Sequence, residues 1–241
     1  VSTDGLEGGD NDASTNDVSI PNETSTTNDS GIPDGSALLD ASEDSPAPAP
    51  IVFVHTTDSL PPDAGSGDLT FAKSVLVGHT ILVAVTFGGA ATASVTDDKG
   101  DTFHLDVGPI GEGQGTTGLL FSAIGVPGNE RVIHVTVGAG ALYYTELYAM
   151  EYSGITRFDV GAGSYSSAAG AASSGFITTT IRNEMLLGFA VDGAVTAGPA
   201  FTSRNTANAD LVEDRIVDAV GLYAATAQMS GPGMVLVGAY R

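Results

Sequence analysis

Cysteine and tryptophan are absent, and only eight of the 241 residues are Lys or Arg. Without cysteine there is no disulfide framework, no thiol nucleophile and no cysteine-ligated zinc or iron–sulfur site. Twenty-nine acidic residues against eight basic ones leave a formal charge of −21. A charge of that sign repels phosphate backbones and anionic lipid surfaces, so nucleic acid is not expected as a partner. Apolar runs long enough to span a bilayer are also missing, as is any signal-type hydrophobic segment, so membrane insertion is not expected. The chain opens on Val1 rather than Met. We read it as the mature part of an exported protein, secreted or held at the cell surface after removal of a signal sequence.

What is present divides into two regions. Residues 1–50 hold eleven acidic residues, no Lys or Arg, and few large apolar side chains, and they end in Ser45-Pro46-Ala47-Pro48-Ala49-Pro50. Such a segment cannot bury enough apolar surface to offset its ordering entropy, so it reads as an extended, low-complexity tail or linker. From Ile51 to Arg241 the pattern changes to apolar runs and alternations broken by turns. Ile51–Thr56 reads as a first strand. Leu69–Val75 alternates with period two. Thr80–Phe87 is apolar on both faces, as in a buried central strand. Asp97-Asp98-Lys99-Gly100-Asp101 between two short strands is a hairpin signal. Further strands at regular spacing, with no amphipathic helix, predict an all-β fold. The expected form is a two-sheet antiparallel β-sandwich, jelly-roll-like, with the acidic tail in front. No short internal repeat is visible.

Four stretches carry a resemblance. They are Val77-Gly78-His79-Thr80-Ile81-Leu82-Val83-Ala84-Val85, Val95-Thr96-Asp97-Asp98-Lys99-Gly100-Asp101-Thr102-Phe103, Tyr148-Ala149-Met150-Glu151-Tyr152-Ser153-Gly154 and Asp214-Arg215-Ile216-Val217. On these the body resembles a jelly-roll-like β-sandwich module of secreted and cell-surface proteins of environmental bacteria. In such modules the second stretch reads closer to D-x-x-G-N-T-Y, whereas here Asp101 and Phe103 stand in place of Asn and Tyr. The resemblance implies a fold and a surface setting, and it brings no catalytic residue with it.

The residues themselves suggest no catalytic site, and the chain is not expected to be an enzyme. There is no G-x-S-x-G elbow, and Gly108–Gly118 lacks the G-K-[ST] ending of a phosphate loop. His55, His79, His104 and His134 share no metal-ligand spacing. Glu146 and Glu151 are an odd number of residues apart in one strand, so they face opposite sides and cannot form an acid/base pair. No cofactor is required. Calcium is the one ion the composition suits, at Asp4, Asp10 and Asp12 in the tail and at Asp97, Asp98 and Asp101 in the hairpin. Asn22 and Asn28 lie in glycosylation sequons.

Two functions follow as expectations. Val18, Ser19 and Ile20 precede Pro21 in a segment that can add as a strand to the sheet edge of another copy. A head-to-tail contact of that kind builds a homo-oligomer or filament, which makes the chain a non-enzymatic subunit of a surface appendage. Alternatively, Tyr144, Tyr148 and Tyr152 share one strand face and could stack on glycans, which makes the body a carbohydrate- or cell-surface-binding module on a linker.

Overall fold

The computed structural model describes residues 49–61, 65–191 and 193–241. Asp4, Asp10, Asp12, Val18, Ser19, Ile20, Asn22 and Asn28, singled out above, lie outside these residues. The described residues form an antiparallel all-β sandwich without an α-helix, and its jelly-roll order occurs twice.

The first roll contains β1 (Val52–Ser59), β2 (Gly67–Thr70), β3 (Thr80–Gly89), β4 (Ala93–Asp97), β5 (His104–Ile110), β6 (Thr116–Ile124), β7 (Val132–Val137) and β8 (Ala141–Ser153). Its sheets run β1-β8-β3-β6-β5 and β2-β7-β4. The second roll contains β9 (Phe158–Ser166), β10 (Gly170–Ser173), β11 (Ile177–Thr178), β12 (Glu184–Val191), β13 (Ala194–Ala197), β14 (Thr202–Asn205), β15 (Leu211–Val217), β16 (Leu222–Tyr223), β17 (Thr226–Met229) and β18 (Gly233–Tyr240). Its sheets run β9-β18-β12-β15-β14 and β10-β17-β13, with β11 and β16 paired beside them. Strand for strand, both orders are the same.

The registers repeat as well. Phe53 pairs with Tyr152, and after a bulge His55 pairs with Glu151. In the second roll Phe158 pairs with Tyr240, and after a bulge Val160 pairs with Ala239. On the far side of each sheet His104 pairs with Ser122 and Leu105 with Phe121, with a bulge before Val107 meets Leu120. Its counterpart places Thr202 opposite Asp214 and Ser203 opposite Glu213, with a bulge before Asn205 meets Val212. The two bulged residues are Asp106 and Arg204. A bulge re-aims the side chain it carries, so each roll turns one residue out of the pleat at the same place.

Burial follows from the layering. Ile81, Val83, Val85 and Phe87 pack toward the first three-stranded sheet, while Leu82 and Ala84 of the same strand pack against Met185, Leu187, Phe189 and Leu236 of the second roll. Leu186, Ala190, Val235 and Val237 face the other outer sheet. The two five-stranded sheets therefore pack against each other and are covered again outside. Strands covered on both faces are predominantly apolar, which is how Thr80–Phe87, Glu184–Val191 and Gly233–Tyr240 read, with Thr80, Thr86 and Glu184 as buried polar exceptions. Gly118 and Gly161 lie where the layers come closest. A Cβ on Gly161 would run into Val107, and one on Gly118 into Met234.

A shared core predicts shared unfolding. Leu82→Ala and Leu187→Ala, one in each roll, should each lower a single calorimetric transition by about 2–5 kcal/mol. Two transitions, with only one moved by each substitution, would show that the rolls fold independently.

Candidate functional site

A cleft of about 530 Å³ opens at the junction of the two rolls. One wall comes from the first roll: Asp101 and Thr102 before β5, His104 and Asp106 on β5, and Ser122 on β6. The other wall is the connection that starts the second roll, with Thr156, Arg157 and Phe158. The volume is in the usual range for a small-ligand site.

Asp106 owes its place to the β5 bulge. Its Oδ2 accepts a hydrogen bond from the Tyr240 hydroxyl at 2.9 Å. Burial raises the Asp106 carboxyl above the ordinary range, and bonds from Ser122 and Tyr240, with the charge of His104, offset this only in part. Phe158 lies against Tyr240 with ring centroids 5.5 Å apart. A phenyl face and a half-buried carboxyl thus flank the same opening.

The turn behind the cleft is not the expected hairpin: β4 pairs with β7 and β5 with β6, so Asp97–Asp101 crosses from one sheet to the other. Asp97 Oδ1 accepts the backbone N–H groups of Lys99, Gly100 and Asp101 at 2.9, 2.7 and 3.0 Å. That arrangement fixes the turn, with Gly100 at φ +86°. Asp98 points elsewhere, toward the Arg131 N–H and Lys99. Its place beside Asp97 and Asp101 is taken by Glu130, which is fully buried. Asp97 Oδ2, Asp101 Oδ2 and both Glu130 oxygens receive no hydrogen bond from a donor group. Burial, then the facing carboxyls of Asp97 and Glu130, push Asp101 up to about 7. Among the described residues no three His, Cys, Asp or Glu side chains are placed to hold one metal ion. The cluster is one of carboxyls facing one another.

The tyrosine face is a correction. Tyr148 and Tyr152 are fully buried, because the second roll covers the side of β8 that the alternation left free. Tyr148 donates to Asp210 Oδ2 at 3.0 Å and Tyr152 to Asp214 Oδ2 at 2.7 Å. Tyr144 bonds through its hydroxyl to Thr116. These rings do not form a stacking platform.

The histidines come together in a way their spacing did not predict. Glu151, fully buried, has His79 Nδ1 at 2.6 Å and His55 Nε2 at 3.0 Å, the latter off the hydrogen-bond line, and also accepts the Leu76 N–H. His134 pairs with Asp68 at 2.7 Å. Compared with known proteins, the chain matches no family model, no curated protein and no solved structure.

The carboxyl cluster sets a pH dependence. An acid with a raised folded pKa contributes stability that is present below its unfolded pKa near 4 and lost as pH rises toward 7. Asp101→Asn should therefore stabilise the protein at pH 8 by about 1–2 kcal/mol, with little effect at pH 4. Urea unfolding at both pH values checks this, and an equal effect at both would contradict it.

Proposed function

We propose that the chain is a non-enzymatic extracellular binding module that takes a polar group of a cell-surface ligand into the junction cleft. The cleft carries this reading. Its walls are strands β5, β6 and β9 with the short connections that join them to the sheets, several of these hydrogen-bonded in place, which reduces the ordering cost of binding. Its lining combines carboxyl, hydroxyl, imidazole and guanidinium groups with one phenyl face. That is the chemistry of a site that orients a polar ligand by a few fixed contacts. The net charge of −21 favours neutral or cationic ligands over anionic ones.

A ligand titration followed by NMR, using neutral oligosaccharides and charged peptides, tests the proposal. Shifts should cluster around Ser122, Phe158 and Thr102. Thr102→Trp, at the exposed rim, should weaken binding at least tenfold without lowering the melting temperature. Shifts confined to other surfaces would sink this reading.

A second reading keeps the tail as an assembly element. The outer sheet β2-β7-β4 ends on β2 and β4, and β10-β17-β13 ends on β10 and β13, so each edge offers backbone groups to an added strand. Residues 17–21 have the alternation such a strand needs. Deleting residues 1–50 should abolish filaments in electron micrographs of concentrated protein. Filaments from the truncated chain, or none from the full chain, would rule this out.

A further inference from the structure

The repeated register gives the cleft an internal counterpart. At the opposite end of the junction the same four positions are held by Phe53 and Tyr152 of the first roll and Arg204 and Asp214 of the second. There Tyr152 donates to Asp214 at 2.7 Å, as Tyr240 donates to Asp106 at 2.9 Å. Phe53 meets Tyr152 at 5.5 Å, as Phe158 meets Tyr240. Two exchanges separate the two ends: Ser122 stands opposite His104 where Asp214 stands opposite Thr202, and the bulged residue differs. The bulged residue over Phe53 is Arg204, whose guanidinium carbon sits 4.4 Å from the ring centroid while its Nε bonds Asp214 at 2.8 Å. The bulged residue beside Phe158 is Asp106, a much smaller side chain of opposite charge. Among the described residues no cation lies over Phe158. The space at that end is the cleft.

We propose that the junction cleft recognises a guanidinium group, an arginine side chain of a partner polypeptide, held over Phe158 and bonded to Asp106 as Arg204 is held over Phe53 and bonded to Asp214. The inference rests on the cleft being a binding site and names the group it takes. The same groups meet at both ends, a phenyl face and a tyrosine-held carboxyl, although the carboxyl comes from the bulge at one end and from the neighbouring strand at the other. A planar cation stacks on an aromatic face, where the ring quadrupole attracts it. A carboxylate, fixed by a tyrosine hydroxyl, then accepts its N–H groups in a charge-assisted bond. Arginine suits this better than lysine, because its flat, weakly hydrated fork stacks and donates at once. Asp101 adds a second carboxyl at the mouth. Arg157 on the rim is the opposing charge, and it also acts on the buried Glu184 carboxyl behind it.

The test uses the full chain and N-acetyl-arginine methylamide, with the citrulline and lysine analogues and neutral oligosaccharides as comparisons. The arginine probe should bind once per chain, shift Phe158 and Ser122, and bind at least tenfold more tightly than its uncharged citrulline analogue. Asp106→Asn should weaken it at least tenfold. Arg204→Ala should empty the matching pocket over Phe53 and raise the stoichiometry from one to two. Equal binding of arginine and citrulline probes, or an unchanged stoichiometry in folded Arg204→Ala, would overturn the inference. If Arg204→Ala does not fold, an Asp106→Asn variant that keeps full affinity overturns it alone. Cleft binding of neutral oligosaccharides without arginine binding would defeat the guanidinium assignment and leave the binding-module reading standing. No cleft binding by any probe would defeat both.

Discussion

The packing of one five-stranded sheet on the other governs the rest of the molecule. Each sheet must be apolar on two faces, one toward its own outer sheet and one toward the other roll. Burial of that kind leaves few places for polar groups, and three tyrosines resolve theirs by pairing across the junction. Tyr148, Tyr152 and Tyr240 all reach a carboxylate with their hydroxyls, two of them on the opposite roll and Tyr240 on Asp106 of the first. Each bond satisfies a hydroxyl that would otherwise be desolvated without a partner, a loss of about 1–3 kcal/mol. The junction is thus apolar in its middle and tied by tyrosine–aspartate bonds at its margins. The margins are also where the cleft opens.

Much of this was legible in the chain. Thr80–Phe87 lacks a polar face, and it became a strand covered on both sides. The Asp97–Asp101 run reads as a turn, and Asp97 caps one, but the strands it joins lie in different sheets and form no hairpin. The duplication was not legible, because it resides in strand order and bulge position rather than in residue identity. Equivalent positions hold Glu151 and Ala239, or Asp106 and Arg204, so a search for repeated residues passes over them. The tyrosine face was misread for the same reason. Alternation along β8 shows that two faces differ, but it does not show that a second roll covers the outer one. A weak signal did exist, since Met150, between Tyr148 and Tyr152 on the same face, is apolar where a solvated face would carry a polar residue.

Charge explains a second group of residues that spacing could not find. Glu130, Glu151, Glu184 and Glu213 are all fully buried, and a buried carboxylate is costly unless it is paired or protonated. Glu151 is paired, between two imidazoles that arrive from β1 and from the turn before β3. Glu184 and Glu213 are pushed up to about 7, burial being the first cause in both. These shifts act in the same direction as that of Asp101, so the folded chain retains protons that the unfolded chain would release. A protein with so few basic residues has few cations with which to neutralise its interior, and protons take part of that role.

A duplicated fold in one chain also accounts for where a site can arise. Two rolls related in this way produce two equivalent corners, and a corner with all four side chains in place is closed. The corner at Phe53 is closed in this sense, because Arg204 supplies both the stacking cation and the partner for Asp214. At the matching corner Asp106 replaces the plug and Ser122 stands where Asp214 does, so the tyrosine-held carboxyl comes from the bulge itself, beside a phenyl face. The backbone is indifferent to the exchange, since the bulge turns out whichever residue it carries. Specificity then needs no new architecture. The guanidinium reading proposed above rests on that likeness, a phenyl face beside a tyrosine-held carboxyl at both corners.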